Sequence, residues 1–224
     1  LRYVEIVGVI VRDGRGVPEH RRLFEAVGYS SENELVRITV HPATAQRWDD
    51  IVAVFAGRGG STCWCQRFRR PGGTDRSTAL RDEIERADAP VGLIAYVGDE
   101  PAGWSRVVMR TSLLGIAENR ALQRLYAQDN ADPAWWISCF AVRRAHRGGG
   151  VGVSLLRAAT QFANRQGAAV LDGHPVDVDR LSARPSPAAV FTGTMSMFTA
   201  AGFHEIGRTY PSRPVMRHLL ERAG

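Results

Sequence analysis

Lysine is absent from this chain. All 29 basic residues are arginine, and that absence excludes two large classes of chemistry. A Walker-type phosphate loop needs a lysine after its second glycine, so P-loop nucleotide hydrolysis is ruled out. Imine formation through a lysine amine is ruled out as well. Cysteine is scarce: there are three, two of them in the triplet "CWC" at Cys63 and Cys65. That is too few for a paired disulfide framework and fits a reducing compartment. The pair also lacks a second ligand pair at zinc spacing, so no metal is expected. No apolar run approaches the roughly 20 residues that cross a bilayer, so no membrane partner is expected. The opening "LRYVEIVGVIVRDGRG" carries Glu5 inside its apolar patch and no small-residue cleavage site. It therefore does not read as a signal peptide, and the cytoplasm is the default location.

What is present is a net charge of +6, which by itself calls for an anionic partner. A high-GC codon bias accounts for the arginines equally well. A basic nucleic-acid-binding module is a rival reading, but no helix-turn-helix, zinc finger or aromatic RNA-binding signature accompanies the charge, so no nucleic-acid partner is expected. At 224 residues the chain can bury one sizeable core with an appendage.

Residues 1–36 form that appendage. They hold a strand pattern, "YVEIVGVIV", and a short helix pattern, "EHRRLFEAVGY", ended by Gly28. An aromatic residue four before a Gly-aromatic pair occurs there, as it does in "SMFTAAGF", so the segment also reads as the remnant of an upstream half-domain. The first residue is Leu1 rather than methionine, which leaves open a mis-set start with the true beginning near Val36. The main domain spans residues 37–224. Its strands are "RITVH", the hairpin "VGLIAYV" and "AGWSRVVMR" across a turn with Gly98 and Asp99, the apolar run "AWWISCFAV", then "AAVLDGH" and one or two more at the end. Trp48, Ile51, Val52 and Phe55 repeat at helical spacing, with Thr44 as a capping candidate. Further helices are expected near residues 77–87, around "AENRALQRLYAQ", directly after the glycine run, and over "FTGTMSMFTAAGF". This mixture of hairpins and crossovers implies an α/β (α+β type) fold, with a mixed, mainly antiparallel central sheet flanked by helices.

The most informative stretch is "ISCFAVRRAHRGGGVGVSLLRAATQFA", residues 137–163. A buried strand, a glycine turn and a helix N-terminus make an anion site, because the first helical amides lack internal partners and the macrodipole favours negative charge. Arg143, Arg144, His146 and Arg147 add to it. A Rossmann loop needs glycine at the third position of G-x-G-x-x-G, where this chain has Val153 or Leu155. The spacing Arg147-x-x-Gly150-x-Gly152 instead resembles the pyrophosphate-binding motif of the GNAT superfamily of acyl-CoA-dependent N-acyltransferases. The order of elements from Arg37 onward resembles that superfamily too.

The resemblance implies acetyl-CoA as co-substrate. It assigns Arg147 and the amides of Gly148, Gly149, Gly150, Val151 and Gly152 to the pyrophosphate, and the main chain of Phe140, Ala141 and Val142 to the pantetheine arm. It implies direct acetyl transfer to a primary amine, on a small molecule or a protein, with one strand amide stabilising the oxyanion. The family's usual tyrosine, a thiolate acid, is replaced here by Phe198. Thr194, Ser196 and Tyr210 are nearby hydroxyls. Asp172, His174 and Asp177 in "LDGHPVD" are candidate bases. Cys139 reads as a small core residue. Trp64, Phe68 and the neighbouring arginines are candidates for the acceptor pocket. The unusual Phe198 keeps a second reading alive, a CoA-binding regulatory protein with little catalysis. Nothing in the sequence decides between a monomer and a homodimer.

Overall fold

The computed structural model of the chain describes residues 8–11, 35–56, 63–69, 75–186 and 188–221. The helix expected over "EHRRLFEAVGY" lies outside the described residues. Among those described, eight strands form one sheet in the order β1-β2-β3-β4-β5-β6-β8-β7. They are β1 (Gly8–Val11), β2 (Leu35–Pro42), β3 (Gly92–Val97), β4 (Glu100–Met109), β5 (Ala134–Val142), β6 (Val170–Gly173), β7 (His204–Tyr210) and β8 (Arg213–Leu219). Only β5 and β6 pair in parallel; the other neighbours are antiparallel. The parallel pair requires a crossover, and α5 (Val151–Arg165) supplies it. The strand inside residues 1–36 is not isolated, since Gly8 pairs with Ile38 and Val11 with Leu35.

Helices cover both faces. On one lie α1 (Trp48–Phe55), α2 (Arg76–Arg86), α3 (Leu114–Ala117) and α4 (Arg120–Leu125); on the other lie α5 and α6 (Met195–Ala200). The helix expected around residues 117–128 is thus two short ones, with Asn119 capping the second by accepting from the amides of Ala121 and Leu122. Thr44 precedes a short 3₁₀ turn without a side-chain cap bond. Helix α5 buries Val151, Leu155, Leu156, Ala158, Ala159, Phe162 and Ala163. Its alanines let it sit close to the sheet, and Gly103 of β4 completes the fit, because a Cβ there would come 2.7 Å from Val151.

Strand alternation sends Trp104 of β4 to the opposite face, where it is fully buried against Phe55. Arg106 follows two residues later on that face, also fully buried, and pairs with Glu83 of α2 at 2.8 Å. Glu83 in turn takes Arg69 at 3.1 Å and Gln66 at 3.2 Å, which ties residues 66–69 and α2 together over the sheet. The structure corrects one expectation here. Cys65 and Cys139 are joined by a disulfide that links this segment to β5, so only Cys63 is a free thiol. They are 74 residues apart in sequence, which hides the pairing from any local pattern. No helix among the described residues is long and apolar enough to cross a membrane.

Candidate active site

The site begins at a defect in β5. Arg106 pairs with Cys139 and Val107 with Ile137, so Ser138 is an extra residue, a β-bulge that bends the strand. Pairing between β5 and β6 stops at Ile137 and Gly173. Beyond that point the two strands part, and the main chain of the second half of β5 faces a gap on that side. Residues 188–194 cross the gap. The amide of Phe140 donates to the carbonyl of Phe191 at 2.6 Å, and Val176 bridges Thr194.

At the far end of β5 a 3₁₀ turn (Arg144–His146) leads into the glycine run. Gly148 and Gly150 adopt left-handed φ values of 76° and 79°, and Gly150 is the N-cap of α5. The amides of Gly148, Gly150, Val151 and Gly152 donate to no backbone carbonyl among the described residues. They form an amide cradle at a helix N-terminus, suited to a diphosphate. Gly149 differs, since its amide reaches back to His146 at 3.4 Å. The basic cluster around the loop divides in two. Arg143 turns to Glu100 at 2.5 Å, and His146 lies 3.2 Å from the other oxygen of that carboxylate, misaligned for a hydrogen bond. Arg144 and Arg147 stay exposed at the loop, Arg147 Nε donating to the Val142 carbonyl at 3.0 Å. Gly152 has a packing reason to lack a side chain, because a Cβ there would stand 2.5 Å from Met197 Cε of α6.

The titratable candidates differ sharply in their surroundings. Asp172 is fully buried on β6; Arg217 of β8 binds both its oxygens at 2.7 Å, and the Tyr126 hydroxyl donates at 2.9 Å. The same Arg217 grips Asp129 through two bonds of 2.9 and 2.7 Å. Burial, reinforced by the Asp172 charge, raises the Tyr126 pKa, so its hydroxyl keeps its proton. Asp177 is buried and paired with Arg208 at 2.7 Å.

His174, just past the end of β6, has both ring nitrogens engaged. Arg213 Nη2 lies 3.4 Å from Nδ1, and the Thr209 hydroxyl lies 2.7 Å from Nε2. An arginine can only donate, so Nδ1 is the acceptor and Nε2 carries the proton. Burial first, then the Arg213 charge, pushes the His174 pKa from 6.5 down to about 4. Ser196 is exposed in the first turn of α6 and shares a 3.0 Å hydrogen bond with Thr194, whose hydroxyl caps that helix. Tyr210 is exposed at the end of β7. Phe198 is fully buried, edge-on to Phe140 at 6.1 Å and to Phe203 at 5.0 Å.

Aromatic residues on the 63–69 segment reach the gap from the other side. Phe68 stacks on Phe191 with centroids 6.1 Å apart, and Arg67 lies 5.4 Å over the same ring. Trp64 packs between Trp48 and Phe55 instead, and Trp104, Trp135 and Trp136 are core residues. Phe191, Thr192 and Arg213 carry no motif that marks them in the sequence. Arg213 meets His174 and Thr192 only because the β7–β8 hairpin and residues 188–194 converge on the same gap.

A model of the acetyltransferase (GNAT) family matches residues 62–184, more than half of the chain. No sequence among curated proteins matches it. Solved structures share the fold at low identity. A mosquito arylalkylamine N-acetyltransferase like 5b has TM-score 0.52 and 13% identity over 82% of this chain and 100% of its own. The GNAT domain of S. lividans PAT has TM-score 0.51 and 17% identity over 84% and 92%. The yncA protein of Salmonella typhimurium, solved with its cofactor acetyl-CoA, has TM-score 0.50 and 16% identity over 84% and 96%.

Proposed function

The chain belongs to the acetyltransferase (GNAT) family, and from that premise we propose that it moves an acetyl group from acetyl-CoA directly onto a primary amine. The observation that carries this reading is the junction of the amide cradle at residues 148–152 with the gap beside β5, which opens past Ile137 and Gly173. The cradle fits a diphosphate, since its unpaired amides, left-handed glycines and exposed Arg144 and Arg147 are the donors such a group needs. The thioester supplies the acyl carbon and a good leaving group.

The Phe140 amide is the oxyanion donor in this reading. It is a fixed dipole in the gap, and it stabilises charge as that charge grows on the acyl oxygen. The amine attacks the carbonyl carbon, a C–N bond forms, the C–S bond breaks, and the amine's proton leaves. Asp172 and Asp177 are engaged by arginines and serve structure. His174 is neutral near pH 7 and offers Nδ1 only as a weak acceptor. The acceptor therefore reacts as the fraction already deprotonated in solution, with its proton passing to water. Phe198 offers no proton to the departing thiolate, which is tolerable because a thiol pKa near ~8.5 makes the thiolate a stable leaving group.

Phe198 also supports the second reading, a CoA-binding regulatory protein. Titration calorimetry with acetyl-CoA, followed by thiol release on a panel of amines, tests both. Saturable binding with thiol release supports the transferase. Binding without release on any amine favours the regulator, and no binding removes both.

A further inference from the structure

The acceptor's chemistry follows from two arginines at the gap, given the acyltransferase reading on which this inference rests. Arg213, at the start of β8, donates to the Thr192 hydroxyl at 3.2 Å and to the His174 carbonyl at 2.8 Å, and it approaches His174 Nδ1 at 3.4 Å. All three partners are neutral. Arg67 comes from the opposite wall and lies over the Phe191 ring, close enough that its charge, after burial, depresses the Arg213 pKa. Among the described residues no carboxylate forms a salt bridge with either. The carboxylates around them are already taken: Asp172 and Asp129 by Arg217 and Arg110, and Asp177 by Arg208 and Arg180.

Asp129, Asp172 and Asp177 are each matched with arginine, yet half-buried Arg213 has only neutral partners and, as its neighbouring charge, a second cation, the exposed Arg67. Such an arrangement costs free energy that an incoming anion offsets. We propose that Arg213 and Arg67 bind an anionic oxyacid group, carboxylate or phosphate, carried by the acceptor amine. The spacing suits a short acceptor. The Phe191 carbonyl accepts from the Phe140 amide, and the hydroxyl of Thr192, its neighbour in the chain, accepts from Arg213, which sets the charged group beside the acyl position. An alkyl amine without an acidic group finds no matching charge there.

Matched pairs of amines test this in the intact protein: β-alanine against β-alaninamide, and O-phosphoethanolamine against ethanolamine. At least one anionic member is expected to show a KM lower than its neutral partner by about tenfold or more, the range of one charge-assisted hydrogen bond. The first pair reports a carboxylate and the second a phosphate. In Arg213→Gln and, separately, in Arg67→Gln that ratio falls toward one, the neutral member of each pair serving as the internal control. Arg67 is an exposed loop position, so its variant keeps the test alive if Arg213→Gln fails to fold. Equal KM values within both pairs, or a preference that survives both substitutions, overturns the proposal. If acetyl-CoA binds but no amine turns over, β-alanine and O-phosphoethanolamine are titrated into the CoA complex. Saturable heat lost in Arg67→Gln supports the site, and no saturable heat overturns it. Failure of acetyl-CoA itself to bind is a separate result that removes the acyltransferase reading.

Discussion

The amide of Phe140 donates to the carbonyl of Phe191 across 2.6 Å. This is the amide assigned above to the acyl oxygen, and one N–H directed at Phe191 is not free for a second acceptor. Residues around Phe191 must therefore shift before an acyl group is seated, against the stack on Phe68 and the contact with Arg67. An aromatic pair of this kind contributes about 0.5–1.5 kcal/mol. Phe191→Ala should accordingly speed acetyl-CoA association several-fold, read by stopped-flow tryptophan fluorescence. An unchanged association rate would show that the segment does not gate entry.

Two glycines of the motif lack side chains for different reasons, and substitution should separate them. Gly150 sits at φ 79°, where an L-residue costs about 1–2 kcal/mol. Gly150→Val is expected to lose that much stability and also to lose acetyl-CoA binding, because the side chain shields the amides. In Gly152→Ala the new methyl presses on the flexible end of Met197. That variant should cost about 1 kcal/mol and retain binding within a few-fold. Denaturant melts with parallel calorimetry distinguish the two.

Asp172 lies one residue before the point where β6 parts from β5, yet its surroundings are those of a buried ion network. Removing its charge leaves Arg217 facing Asp129 alone. Asp172→Asn should destabilise the fold by about 3–5 kcal/mol, seen as a lower urea midpoint. Loss of activity with no loss of stability would instead mark Asp172 as a catalytic base. The network also sets an acid limit. Hydrogen bonds from Arg217 lower the Asp129 pKa from 3.8 to about 2. A depressed carboxylate pKa stabilises the fold above the unfolded value and ceases to do so as pH falls through the folded one, so this contribution should vanish between pH 3.8 and about 2.

His174 predicts the shape of the pH–rate profile. With its pKa near 4, no inflection is expected around 6.5, and kcat/KM should rise with pH until the acceptor amine itself is deprotonated. A plateau beginning near pH 7 with a high-pKa amine would mean that a histidine is acting as the base. The same shift affects stability. Below 6.5 the unfolded chain takes up a proton that folded His174 refuses until about 4, so stability should decline as pH falls across that window.

Local pattern was enough for much of this protein. Helical spacing from Trp48 to Phe55, the Gly98–Asp99 turn, the apolar β5 strand and the Arg147-x-x-Gly150-x-Gly152 spacing act over a few residues, so the elements and the glycine turn that opens α5 are legible before any folding. The missing lysine had already excluded the commonest nucleotide loop. What only the tertiary structure decided is which side chains are spent and which are free. Asp172 reads as a base until Arg217, 45 residues later, closes on it. Cys139 reads as a core thiol until Cys65 reaches it. The Phe140 amide, the Phe191 carbonyl and the arginines at 67 and 213 meet only when the bulge at Ser138 parts β5 from β6 and distant segments converge on the gap. Hydrogen bonds and charges are decided by distance in space, and across so many residues the sequence carries no record of it.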